Sequence, residues 1–212
     1  KTRKIRTALY NVLPGEKAHA LMAPRPKYIE GIEGVHPCPP VNSAILALIV
    51  PFENELALPL IKRVNRGKYH GGQIAFPGGK MEKEDADALQ TALRECHEEI
   101  GVPEEKVSIL GVLSDIYIPL SNFNITPIVG TTLQLPDFIL SQDEVEKVIL
   151  VKLRDLFDDR NKTTHSFVRH DHKIIAPGYK IGENFIWGAT AMIIAELEQL
   201  MKTNTFNHLG KL

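Results

Sequence analysis

Apolar positions along the chain follow two rhythms. The run "AILALIV" (44–50) is continuously apolar, and "LALPLIKR" (56–63) follows it after a short polar break. Both read as strands, the first a buried one. From 84 to 101, "EDADALQTALRECHEEIG" changes to a helical period. At about 100° per residue, Leu89, Leu93, Cys96 and Ile100 form one stripe. Asp85 stands near the start of this helix and Gly101 at its end, as start and stop signals should. Strands are then expected in "KVSILGVLSDIYI" (106–118), "NITPIVGTT" (124–132) and "VEKVILVKL" (145–153), followed by a short helix, "LRDLFD". A hairpin over 164–181 with "RHDH" as its turn, a strand "NFIWG" and a long helix "ATAMIIAELEQLMK" (189–202) complete the pattern.

The first 42 residues are different. Residues 1–12 suit a short amphipathic helix with Ile5, Leu9 and Val12 on one side, and the stretch after it is broken by prolines. We read 1–42 as an N-terminal extension packed on a domain spanning 43–212. Strands and helices mix without regular βαβ alternation, so an α+β, sandwich-like arrangement is expected.

Composition narrows the classes. The chain has 212 residues, 25 basic and 26 acidic, with a formal net charge of −1. Electrostatically driven nucleic-acid binding needs a clear basic excess and is not expected. The longest apolar run is too short to span a bilayer, so no membrane partner is expected. Cys38 and Cys96 match no zinc or redox spacing and suit a reducing, cytoplasmic setting. The basic start lacks the apolar core of a signal peptide. It also lacks an initiator Met, so residue 1 is not expected to be the native start.

The chemistry concentrates in "TALRECHEEIG" (91–101). Glu95, Glu98 and Glu99 lie at i, i+3 and i+4, where like charges repel. They also sit near a helix C-terminus, where the macrodipole disfavours negative charge. An acidic solvated face would explain them in isolation. The preceding "FPGGK" adds two glycines at a tight turn, whose backbone oxygens lie just before the acidic helix. Carboxylates and carbonyls form the hard oxygen set that Mg²⁺ or Mn²⁺ prefers, with substrate phosphates completing the shell.

Gly79, Asp85 and "RECHEEIGV" (94–102) resemble the Nudix box, G-x5-E-x7-R-E-U-x-E-E-x-G-U, where U is aliphatic. Arg94, Glu95, Glu98, Glu99 and Gly101 match position by position. Asp85 replaces the first Glu, and eight residues rather than seven separate it from Arg94. The resemblance implies an α+β fold, a Nudix-type mixed β-sheet sandwiched between helices (an α/β/α sandwich). It also implies a metal-dependent pyrophosphohydrolase. Glu95, Glu98 and Glu99 would hold the metal, Glu98 and Glu99 as exposed ligands, with the Gly78 or Gly79 carbonyl helping. Arg94 would orient a glutamate, and Asp85 would play a structural role. The general base is left open between Glu98 and an acid of the distant turn "SQDEVEKV", where Asp143, Glu144 and Glu146 are candidates and Glu144 is preferred.

A second resemblance concerns substrate. "HGGQIAFPGGK" with "IWGATAMI" (186–193) is similar to the coenzyme A pyrophosphatase branch of that family. Gly72 and Phe76-Pro77-Gly78-Gly79 fit its motif and Lys68 takes the place of an Arg, whereas the residues Pro59 to Val64 depart from it. The branch splits coenzyme A or acyl-CoA into 4′-phosphopantetheine and adenosine 3′,5′-bisphosphate. Lys68, Arg63, Gly72 and Phe76 are then the expected substrate-binding residues. The alternatives are a Nudix hydrolase of another nucleoside diphosphate, such as ADP-ribose or a dinucleotide, and a non-catalytic nucleotide-binding module. Retention of all four box residues disfavours the last. A homodimer is left open. Trp187 and the histidines of "HSFVRHDH" read as core and hairpin residues rather than ligand sites.

Overall fold

The computed structural model describes residues 2–10, 12–25, 38–65, 72–169 and 172–206. Lys68 and the expected turn residues His170 and Asp171 lie outside them.

Strand β1 (Val41–Phe52) organises the molecule. Its first nine residues run parallel to β7 (Phe123–Thr131), and its last three form an antiparallel hairpin with β2 (Glu55–Arg63). Glu53 and Asn54 both take positive φ at that turn, the two-residue geometry that matches strand twist. Around these strands lie β3 (Ile74–Ala75) and β8 (Val145–Lys152) on β2, and β4 (Gly78–Lys80) on β1. On β7 lie β5 (Ser108–Val112) and β6 (Ile116–Ile118). A separate antiparallel sheet runs in the order β11 (Asn184–Trp187), β10 (His172–Ile181), β9 (Lys162–Arg169).

The unbroken apolar run of β1 follows from burial on both faces. Ala44, Leu46, Leu48 and Val50 pack with Ala92, Leu93, Cys96 and Ile100 of α3 (Ala88–Ile100). Ala47 and Ile49 point the other way, into a cluster with Ile193, Ile194 and Leu197 of α5 (Gly188–Phe206). The result is a mixed sheet between helices, as expected. The same second cluster takes Ile5 and Ala8 from α1 (Thr2–Leu9) and Met22 from α2 (Glu16–Met22).

Three local expectations change. The helix starts later than Asp85: Asp87 is the N-cap, accepting from the Gln90 amide at 2.9 Å, while the Gln90 side chain accepts from Ala86 N–H at 2.7 Å. This is close to a capping box, and "DALQ" is the signal that could have placed it. The stretch 106–118 is two strands, interrupted at Leu113–Asp115. Helix α2 lies in the segment read as proline-broken extension. It is held there by tertiary contacts, because His19 joins Glu196 of α5 at 2.9 Å. A short helix α4 (Leu153–Leu156) follows β8.

Candidate active site

The site is assembled by three pieces of backbone: the turn between β3 and β4, helix α3, and the segment leading into β8. β4 pairs with β1, which sets Gly79 opposite Ala44 and lays the turn across α3. A Cβ on Gly78 would run into the Ala44 carbonyl and Ile45 Cα of β1, so only glycine fits there, whereas one on Gly79 would meet the movable Glu95 carboxylate. At the other end of α3, Gly101 caps the helix with φ 71° and donates to the His97 carbonyl at 2.8 Å. Beyond it the chain returns: Ile139 N–H donates to Ile100 O and Ser141 N–H to Glu99 O, both at 3.0 Å. These bonds satisfy the last carbonyls of α3 and bring the Ser141–Val145 turn, with Glu144, back to the helix.

The three box glutamates occupy three environments. Glu98 is open, its side chain 54% exposed, whereas that of Glu95 is 14% exposed. Glu99 is 1% exposed, which corrects the expectation of an exposed ligand. Its angular position lies beside Glu95, but the Phe76–Gly79 turn covers it, and that cover is invisible in the helical period. Glu99 Oε2 accepts the Gly78 N–H at 2.9 Å, and Oε1 faces Arg63 at 3.0 Å.

Arg94 is the hub of the exposed side. Its Nε and one terminal nitrogen grip both oxygens of Asp85 at 3.0 Å. The other terminal nitrogen donates to Glu95 at 3.1 Å and Glu98 at 2.9 Å, while the nitrogen that grips Asp85 also donates to the Lys80 carbonyl at 3.1 Å. Such a planar fork makes arginine hard to replace. Asp85 also accepts from Thr91 Oγ1 and Glu82 N–H. The Arg94 hydrogen bonds hold its carboxyl well below the usual carboxylate range. Asp85 thus orients Arg94 despite the longer spacing in the box.

Charge is out of balance here. Burial raises the Glu95 carboxyl, and it lifts Glu99 to about 7 against the opposing pull of Arg63 and the Gly78 amide. The charge of Glu144 pushes both further up, which places that acid on the same cluster. Among the described residues, Arg63 pairs with Glu99 and Arg94 with Asp85, Glu95 and Glu98. As they stand, no three acidic, His or Cys side chains among the described residues are arranged to hold a metal ion. The donor chemistry nevertheless fits a hard divalent cation: among the described residues the carboxylates outnumber the guanidinium groups paired with them, and they lie beside a turn of two glycines.

The other expected site residues part company. Arg63 turns inward to Glu99, and its guanidinium also donates to the Gly78 carbonyl at 2.8 Å. Gly72 closes the loop by donating to Arg63 O at 2.9 Å. Phe76 is 2% exposed and sits in the core cluster with Ile74 and Leu60. Its observed place is packing, and an apolar ring next to a turn gives no sequence signal that separates the two roles. The residues that reasoning from sequence missed are Lys80, whose carbonyl holds Arg94, and Ser141, whose amide anchors the Glu144 turn.

The model of the NUDIX domain matches residues 42–170. The chain belongs to the Nudix family. Relatives named Uncharacterized Nudix hydrolase NudL support this. The one from Enterobacter sp. (strain 638) is 34% identical over 161 residues, covering 74% of this chain and 82% of that protein. The one from Pectobacterium atrosepticum is 35% identical over 158 residues, covering 74% and 80%. Among solved structures, a Nudix hydrolase from Nitrosomonas europaea shares the fold over 82% of this chain and 76% of that one (TM-score 0.51, 20% identity). The chain is a Nudix hydrolase, acting on the pyrophosphate bond of a nucleoside diphosphate-type substrate. Nudix hydrolases generally use divalent metal ions. Among the described residues, no helix is long and apolar enough to cross a membrane.

Proposed function

We propose that the substrate is coenzyme A or an acyl-CoA, cleaved to 4′-phosphopantetheine and adenosine 3′,5′-bisphosphate. One observation carries this reading. The two sequence stretches that resemble the coenzyme A pyrophosphatase branch lie about 110 residues apart, yet they meet: Thr190 Oγ1 of "IWGATAMI" donates to the Ile74 carbonyl of "HGGQIAFPGGK" at 3.2 Å. That contact ties the start of α5 to the β3 strand that enters the box turn. The second stretch therefore supports the turn that the substrate must approach, and the paired signature reads as one device.

Glu95, Glu98 and Glu99 would hold the cation, with the Gly79 carbonyl beside them. When bound, Mg²⁺ or Mn²⁺ supplies a lowered water pKa and neutralises phosphate oxygens. Arg94 fixes the rotamers of Glu95 and Glu98 through its shared nitrogen, and Asp85 fixes Arg94. Glu144 is the proposed general base, taking the proton of the attacking water. It is carried on a turn facing Glu95 and Glu99, whereas Glu98 already accepts from Arg94. Lys68, which follows β2 in the sequence, is the proposed phosphate contact.

Product analysis tests the proposal: coenzyme A and ADP-ribose are incubated in parallel with the protein and Mg²⁺ or Mn²⁺. Adenosine 3′,5′-bisphosphate from coenzyme A, with little cleavage of ADP-ribose or dephosphorylated coenzyme A, is the expected result. Cleavage of ADP-ribose instead keeps the chemistry and overturns the substrate.

A further inference from the structure

Arg63 stands at the end of β2, where the Gly78 turn, Glu99 and the Glu144 turn meet. One terminal nitrogen spans the Gly78 carbonyl at 2.8 Å and Glu99 Oε1 at 3.0 Å. Glu99 Oε2 in turn accepts the Gly78 N–H at 2.9 Å, so side chain, turn and carboxylate close a ring. The backbone of the same strand end is equally engaged. Arg63 N–H donates to Gln73 O at 3.0 Å, and Val64 N–H donates to Glu144 O at 2.9 Å.

Between β2 and β8 the register shifts just here: Lys62 lies opposite Lys147, but Arg63 lies opposite Val145. The extra residue, Glu146, is held by Lys62 at 2.7 Å. Bulges of this kind re-aim a neighbouring side chain next to a site. The Glu144 turn is thus gripped from two directions, by Val64 and, through Ser141, by the Glu99 carbonyl.

We propose that Arg63 is a positioning residue for the hydrolytic centre rather than a contact to substrate phosphate. It fixes the Glu99 carboxylate against the Gly78–Gly79 turn, and its strand end sets the distance from that carboxylate to the Glu144 turn. The inference rests on the reading of α3 as the centre of a Nudix hydrolase, not on which diphosphate is cleaved. A phosphate contact would present its guanidinium to the cleft. This one is directed at a carboxylate that is 1% exposed.

The test is a double-mutant cycle of Arg63→Gln and Glu99→Gln, read both in steady-state hydrolysis and in Mn²⁺ binding by electron paramagnetic resonance. Arg63→Gln should lower kcat by about tenfold or more with KM held within about threefold, the pattern of an interaction that does not bind substrate. It should shift Mn²⁺ affinity by about fivefold in the wild-type background and by less than about twofold in Glu99→Gln, because the two residues act as a unit. Arg63→Lys keeps the charge on a shorter reach and should recover part of kcat, which separates a folding defect from lost positioning. A tenfold rise in KM with kcat and Mn²⁺ binding intact overturns the proposal in favour of a phosphate contact. Additive effects of the two variants overturn it as well. If the wild-type protein cleaves no coenzyme A, the substrate reading fails, while the Mn²⁺ cycle still decides the role of Arg63.

Discussion

Helices α3 and α5 flank the same sheet and both bury glutamates, yet the two sets are wired in opposite ways. On α5, Glu196 is fully buried and receives His19, the Ser114 hydroxyl and amide, and the Gly15 amide. Burial pushes its carboxyl up, but those hydrogen bonds outweigh it and the net shift is downward. Glu198 is bound by Lys162 and Lys202. On α3, burial wins: Glu95 and Glu99 are raised, with Glu144 adding to both. A buried acid is therefore not evidence of a site. What separates structure from chemistry is whether the fold completes the neutralisation or leaves it for a cation.

The sharpest way to break this comparison is to neutralise one acid on each helix. Glu98→Gln or Glu99→Gln should lower kcat by roughly 10²–10³-fold, the scale for removing one electrostatic stabiliser of a transition state, with the fold intact by circular dichroism. Glu196→Gln should leave kcat unchanged. Full activity in both α3 variants would falsify the site.

Next in size is stability. Glu196→Gln and His19→Ala should each cost about 3 kcal/mol in chemical denaturation, since either leaves a buried partner uncompensated. Their effect should appear as loss of α1 and α2 packing before global unfolding, measured by hydrogen exchange in Thr2–Met22.

A cation should repair only one helix. Mn²⁺ at about 100 times its dissociation constant should stabilise the protein by about 2.7 kcal/mol. The increase in Tm should vanish in Glu95→Gln or Glu98→Gln and persist in Glu196→Gln.

The last comparison is the pH dependence in the absence of metal, where the two helices should slope in opposite directions. Glu99 is raised from 4.5 to about 7 on folding, so the native state holds the extra proton and stability falls as pH rises across that window. Glu196 is lowered from 4.5, so its contribution is present above that value and is lost as pH falls below it. Urea midpoints from pH 3 to pH 8 should show the upper slope flattened in Glu99→Gln and the lower slope flattened in Glu196→Gln. The same slopes in both variants would mean that other groups carry them.

How far the sequence reached depends on whether a feature is local. The long strands β1, β2, β7 and β8 and the helices α3 and α5 were legible, because burial on one or two faces repeats with a fixed period. The box residues Arg94, Glu95, Glu98, Glu99 and Gly101 were legible as a linear motif within a single helix. Helix α2 was not, because its seven residues are too few to be stable alone and His19 finds its partner 177 residues away. Phe76 and Arg63 were placed near the site, but whether each faces the core, a carboxylate or the cleft is set by neighbours from other strands.

By itself, then, the sequence determined the carboxylate set, the glycine turn before it and the alternation of strands around them, since each is written in spacing along the chain. The tertiary structure alone decided which glutamate is covered, how Asp85 reaches Arg94 across an extra residue, and that Glu144 returns to α3. Those outcomes depend on where a turn lies over a helix and on where a strand slips by one residue. Charge compensation is a sum over groups brought together only when the chain has folded.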